Sequence, residues 1–171
     1  MSEDTGKFAE EEFQLYPAKD DSDVRTRYLQ LQSDSFAYGA YSMARSMTRA
    51  GQNSYLYLFT YAGTGKRAIL GAYHGEELSF LSRSFPSDWE RGSGDQKFGE
   101  AIRLYWTQFA KSGSPNIRGL PDWPANLAER NQCFVLGRSI GIQPIASRIL
   151  ALDHIMEQVV TKAAKIKEST F

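Results

Sequence analysis

Cysteine is almost absent from this 171-residue chain. Cys133 stands alone, so no intrachain disulfide can form and a Cys-rich structural zinc site is excluded. Histidine is nearly as scarce: His74 and His154 are the two examples, too few for a histidine metal cluster. Charge of one sign is also missing, because 20 Lys and Arg balance 20 Asp and Glu. With no positive excess to neutralise phosphates, nucleic acid is excluded as a partner. No apolar run approaches the ~20 residues needed to cross a bilayer, so no membrane span is expected. The opening MSEDTGKFAEEEF is acidic and has no apolar centre, which is not the pattern of a signal peptide. The chain has no Gly-Gly pair, and no G-x-S-x-G precedes His74. No internal repeat or linker divides it, so residues 1–171 read as one segment, with 1–12 polar and mobile.

What the chain does have is aromatic residues, 13% of the total, several of them clustered in the two short stretches Tyr55–Tyr61 and Tyr105–Phe109. Asp20, Asp21 and Asp23 suit a helix N-terminus, where carboxylates meet free backbone N–H groups. The pattern predicts a helix over about 23–32, then a second capped by Asp34 and stopped at Gly51. In that second helix Phe36, Ala40, Met43, Ala44 and Met47 recur at helical spacing. SYLYLFTYAG, 54–63, reads as a strand buried on both faces, as in a largely parallel sheet covered by helices. A short helical piece is expected near 77–82, then a loop FPSDWERGSGD. An amphipathic helix over about 95–111 follows, with Phe98, Ile102, Tyr105, Trp106 and Phe109 as its core face. CFVLG and SIGIQPI read as two strands joined near Arg138, and a last helix covers about 146–167. The fold class is therefore α/β. A doubly buried strand needs neighbours on both sides, and so few strands leave the sheet incomplete on its own.

Two motifs are formal matches without the right setting. Ser139 lies in Gly137-Arg138-Ser139-Ile140-Gly141, a G-x-S-x-G. That motif demands strand, sharp turn and helix, whereas IGIQPI is β-like, so a hairpin turn is the better reading. Gly63-Thr64-Gly65-Lys66-Arg67-Ala68 matches G-x-G-x-x-A, but a dinucleotide site needs a helix to open there, and AILGAY looks β-like. No cofactor is expected. By default Glu76 and Glu77 are a solvated pair or helix N-terminal carboxylates, and His154 is a surface residue of the last helix.

Five segments, taken together, resemble the type-B carboxylesterase and cholinesterase family of α/β-hydrolases. They are SDSF at 33–36, YLYLFTY at 55–61, GAYHGEEL at 71–78, YWTQFAKSGSPN at 105–116 and LPDWP at 120–124. The resemblance covers about 13–145 and implies the C-terminal part of such a fold. In that family the triad histidine sits in a His-Gly-x-Glu segment after a sheet strand. His74-Gly75-Glu76-Glu77 matches it, with Glu77 at the glutamate position. The resemblance thus implies His74 as catalytic base, with Gly75 and Glu77 supporting its loop. Ester hydrolysis needs a serine oxygen stripped of its proton, and imidazole accepts that proton near neutral pH. In α/β-hydrolases the nucleophile and acid precede the histidine along the chain. Neither they nor the Gly-Gly oxyanion segment is found before His74.

The expected function is therefore the C-terminal part of a serine carboxylic ester hydrolase, supplying His74 and inactive by itself. Its partners would be a small-molecule ester and a separate N-terminal half, or a second copy of itself. The alternative is an inactive carboxylesterase-like fragment or an adhesion-type binding module.

Overall fold

The computed structural model describes residues 3–85, 92–127 and 129–169. The chain divides into two compact units. The first is helical and contains Met1–Gln52, Leu127–Asn131 and Ile145–Phe171; the second contains Asn53–Asn126 and Gln132–Pro144.

In the helical unit, α1 (Glu3–Gln14) and α2 (Asp21–Arg49) both meet α5 (Ser147–Ser169). α1 occupies the polar opening that the sequence alone reads as mobile. Asp20 is the N-cap of α2, its carboxylate accepting from the backbone N–H groups of Ser22 and Asp23. The two helices expected on either side of Asp34 are one continuous helix. Asp34 is not a cap: it is buried, accepts the Tyr16 hydroxyl at 3.2 Å and pairs with Arg148 Nε at 2.6 Å. Ser35 Oγ donates back to the Leu31 carbonyl at 2.9 Å, a mode that lets a serine sit inside a helix. Tyr41, Ala44, Ile149, Leu152 and Ile155 form the unit's interior. The stripe expected from spacing is only partly covered, with Phe36 74% and Met43 65% exposed.

The second unit holds a three-stranded sheet in the order β1 (Tyr57–Phe59), β2 (Gln132–Leu136), β3 (Ile140–Pro144). β1 and β2 are parallel, with Tyr57 opposite Phe134 and Phe59 opposite Leu136. β2 and β3 form the expected antiparallel hairpin, Gln132 opposite Pro144 and Leu136 opposite Ile140. The strand buried on both faces is β2, not β1: Phe134, Val135 and Leu136 are all buried, whereas Leu58 is 46% exposed. The reason is position, since β2 is central and β1 has one neighbour in this sheet. At the end of β2, a Cβ on Gly137 would lie 2.3 Å from Thr60 Oγ1, so only glycine lets the chain pass β1 this closely.

The crossover from β1 to β2 contains a 3-10 turn (Gly65–Leu70), α3 (Glu76–Ser82) and α4 (Ser93–Ser112). The stretch AILGAY is thus not a strand continuation, because residues up to Leu70 coil into the 3-10 turn. The loop expected over FPSDWERGSGD falls partly outside the described residues, at 86–91. α4 buries Phe98, Ile102 and Tyr105 as its spacing requires. Phe109, expected in the core, is half-exposed near the helix end.

The unit's interior is aromatic. Tyr61 stacks on Phe98 at 3.9 Å between ring centroids, and Trp123 stacks on Phe134 at 4.8 Å. Phe80, wholly buried, meets Tyr61 and Phe98 edge-on. Such offset and edge-to-face pairs add to the burial of large rings. A buried carboxylate anchors the start of α4: Asp95 accepts from the Tyr61 hydroxyl at 2.9 Å, from the Gly92 N–H at 2.8 Å and from the Thr64 hydroxyl.

Candidate active-site segment

His74 lies in the segment that leaves the C-terminal end of β1, where ligands gather in α/β sheets. The chain reaches it through Gly71, in an extended backbone of positive φ, and turns at His74 and Gly75 into α3. Gly75 is the N-cap of α3, with φ 81° and ψ 3°. That left-handed conformation is the physical demand for glycine after the histidine. Close backbone approach is not, because a Cβ there would meet just Leu78 Cδ1 at 3.9 Å.

The turn is closed by reciprocal bonds. The Glu76 N–H donates to the Tyr73 carbonyl at 3.1 Å, and the Tyr73 N–H donates to the Glu76 carboxylate at 3.3 Å. The Leu78 N–H then donates to the Gly75 carbonyl at 3.1 Å. Between these anchors the His74 residue is exposed. An exposed imidazole on a pinned turn can exchange protons with a group brought against it.

The two carboxylates after Gly75 have different environments. Glu77 is half-buried and accepts a hydrogen bond from the Tyr57 hydroxyl of β1. Burial, and then the Glu77 charge and hydrogen bond, push the Tyr57 pKa up, which keeps the phenol protonated and donating. Tyr57 itself is held edge-on against Trp106 and Trp123, at 5.3 and 5.7 Å. Glu77 therefore ties the start of α3 to the sheet. Glu76, by contrast, is almost wholly buried. Of the two default readings, a solvated pair or helix N-terminal carboxylates, the second holds, since both residues open the first turn of α3; the burial of Glu76 is what the sequence reading lacked. The signal available was position: a carboxylate directly after a left-handed glycine at a helix N-terminus can fold back onto the preceding turn.

The remaining candidates sit elsewhere. Ser139 lies in the bend between β2 and β3, with no helix following, so the strand–turn–helix geometry of a nucleophile elbow is absent there. The Thr64 hydroxyl and the backbone around Gly92 are engaged with Asp95, and the Gly63 carbonyl accepts from Arg138 at 3.4 Å, which makes that loop a structural joint. His154 is an exposed residue of α5. Cys133 is half-buried in β2, and burial pushes its thiol pKa up. Among the described residues no three His, Cys, Asp or Glu side chains gather as a metal site. No described helix is long and apolar enough to cross a membrane.

Residues 2–146 match the model of the Carboxylesterase family. Carboxylesterase 4A of Bos taurus is 35% identical over 97 residues, which are 53% of this chain and 17% of that protein. Cocaine esterase of Homo sapiens is 29% identical over 99 residues, 57% of this chain and 17% of that protein. A Geobacillus stearothermophilus carboxylesterase shares the fold with a TM-score of 0.67 at 24% identity, covering 84% of this chain and 31% of that one. A PNB esterase does so with a TM-score of 0.68 at 22% identity, over 85% and 30%. These neighbours carry the α/β-hydrolase fold, of which this chain forms part, as the five segments of resemblance imply.

Proposed function

The chain belongs to the carboxylesterase family, and on that premise we propose that it supplies His74 as the general base of a serine carboxylic ester hydrolase. The observation that carries the reading is the exposed His74 on a turn pinned by Gly75, Tyr73 and Glu76, in a His-Gly-x-Glu segment between the 3-10 turn that follows β1 and the start of α3. The serine, the acid and the oxyanion donors lie in polypeptide outside these 171 residues. His74 removes the serine proton as the oxygen attacks the ester carbonyl, and returns it to the departing alcohol. It then takes a proton from the water that attacks the acyl-serine carbonyl, and passes it to the serine oxygen as the acyl–serine bond breaks and the acid leaves. Glu77, held by Tyr57, fixes the orientation of the histidine turn from the far side of Gly75.

Two surfaces support association with the polypeptide that completes the fold, or with a second copy. β1 ends the sheet with one backbone edge unpaired within it, and Leu58 beside that edge is exposed. On α2, Phe36, Met43 and Met47 leave an apolar stripe uncovered. An open strand edge and an apolar stripe both favour pairing over solvation. The same stripe is what favours the second reading, a binding module without catalysis.

Two assays separate these readings. The isolated chain, given p-nitrophenyl acetate, shows no turnover above background. A chimera in which this chain replaces the matching part of the Geobacillus carboxylesterase turns the ester over. Turnover by the isolated chain, or a folded chimera without activity, contradicts the proposal.

A further inference from the structure

α3 is seven residues long, roughly 10 Å, and the His74 turn is joined to its N-terminus. A helix of two turns is not stable on its own backbone bonds and takes its place from whatever holds its ends. At the N-terminal end the hold is Glu77 on Tyr57. At the C-terminal end it is Arg103 of α4, whose Nη1 donates to the Phe80 carbonyl at 2.8 Å.

Phe80 is wholly buried, and its carbonyl is among the last four of the helix, which have no intrahelical partner. The chain turns away just beyond it. Arg83 takes a left-handed backbone, φ 58° and ψ 19°. The Ser84 N–H, which a continuing helix would return to Phe80, bonds the Ser82 hydroxyl at 3.2 Å instead. Arg103 approaches by lying back over Gly99, one turn earlier in α4: a Cβ there would stand 3.0 Å from Arg103 Nη1 and 3.3 Å from Phe80 Cδ1. Glycine inside a helix costs about 1 kcal/mol against alanine, and the path of the guanidinium accounts for it here. That guanidinium is held against opposition, since burial and then the charge of Arg83 lower its pKa while Glu100 acts the other way. A cation at the C-terminal end of α3, with Glu76 and Glu77 at the other, also agrees with the helix dipole.

We propose that Arg103 is a positioning residue for the His74 turn, seating α3 from its C-terminal end through the Phe80 carbonyl, across the space that Gly99 leaves open. The proposal rests on His74 acting as the base, and Arg103 acts on the imidazole through α3. Without the bond α3 shifts and carries the turn with it. Misplacing a reacting group by about 1 Å is enough to lower a rate on the order of 100-fold.

The kinetic test uses the esterase chimera and p-nitrophenyl acetate. Arg103→Met keeps an extended side chain and removes its donors, so kcat should fall about tenfold with KM within about twofold. Arg103→Lys still donates and should recover kcat to within about threefold of the unsubstituted chimera. Gly99→Ala displaces Nη1, so it should lower kcat about threefold when Arg103 is present and have no effect in the Arg103→Met background. A merely structural role would lower activity through the folded fraction, without that dependence. A second readout does not use catalysis. In the 171-residue chain, hydrogen exchange at the Tyr73, Glu76 and Leu78 N–H groups should quicken in Arg103→Met, while the β2–β3 hairpin stays as it was. His74→Ala, run beside these, separates the two failures: full activity there refutes the catalytic reading, and exchange still decides on Arg103. Unchanged exchange in the turn, unchanged kcat for Arg103→Met while His74→Ala abolishes activity, Arg103→Lys no better than Arg103→Met, or an equal loss from Gly99→Ala in both backgrounds would each overturn the proposal.

Discussion

In the helical unit, α2 is joined to α5 by charge. Arg45 pairs with Asp153 and with Glu157 at 3.3 Å, Arg49 pairs with Glu157 at 3.2 Å, and Arg148 reaches back to Asp34. Its apolar interior is thin, and large side chains such as Phe36 and Met43 stay exposed. In the sheet unit the balance is reversed. Tyr61, Phe80, Phe98, Ile102, Tyr105, Trp123, Phe134 and Leu136 make one continuous buried cluster, with Asp95 as a satisfied carboxylate at its edge. The unit with the dense interior is also the one that carries the His74 turn. The contrast teaches that the candidate chemistry rests on a rigid aromatic scaffold, while the helical unit presents surface. A reactive side chain must be held in place by residues that are themselves locked by packing.

The contrast can be broken at its strongest point first. Asp95→Ala leaves the Tyr61 and Thr64 hydroxyls and the Gly92 N–H without their acceptor in a buried setting. The expected cost is about 3 kcal/mol, read as a lower urea midpoint of tryptophan fluorescence. Asp34→Ala in the helical unit should cost less, about 2 kcal/mol, because Arg148 keeps partial access to water when its partner is removed. It should act mainly on the helical circular-dichroism signal, since Trp106 and Trp123 belong to the sheet unit. If the two variants shift both signals equally, the two units do not differ in the way described.

Alkali sharpens the same comparison. Burial, followed by the Asp95 hydrogen bond, pushes the Tyr61 hydroxyl pKa up to about 12; burial, followed by Asp122, does the same for Tyr105. A raised folded-state pKa means that the native protein holds these protons more tightly than the unfolded chain, whose tyrosines titrate near pH 10. The contribution is therefore intact below about pH 10 and is lost as pH rises towards 12. Urea midpoints by fluorescence should stay level from about pH 8 to 9 and fall from about pH 10 upward. In the helical unit burial and Asp34 raise Tyr16 in the same direction, so its circular-dichroism midpoint should fall too, on one tyrosine rather than the three, Tyr57, Tyr61 and Tyr105, of the sheet unit. The smallest effect is expected for Glu157→Gln. That carboxylate is well exposed although Arg49 and Arg45 both hold its pKa low, so the loss should stay below about 1 kcal/mol and shrink with added salt.

Much of this was legible beforehand where one local rule decides the outcome. The 3.6-residue spacing of Phe98, Ile102 and Tyr105 placed α4, and Gly137 to Ser139 between two apolar runs placed the hairpin. The His-Gly-x-Glu segment pointed to the exposed turn. What escaped depended on partners distant in sequence. Asp34 reads as a cap until Arg148 and Tyr16 are seen to claim its carboxylate. YLYLF reads as the central strand because its apolar content is higher, yet FVL of β2 occupies the middle of the sheet. Glu76 and Glu77 are identical letters, and only the left-handed Gly75 and the Tyr57 hydroxyl give them different fates.

The two histidines fall one in each unit, His74 in the sheet unit and His154 in the helical unit, which makes the central claim directly measurable. The measurement is kcat/KM for p-nitrophenyl acetate in the esterase chimera, with His74→Ala and His154→Ala side by side. His74→Ala should lower it by a factor on the order of 10⁴ or more, the loss seen when a triad loses its base, while His154→Ala leaves it unchanged. Comparable kcat/KM for His74→Ala and the unsubstituted chimera would contradict the account.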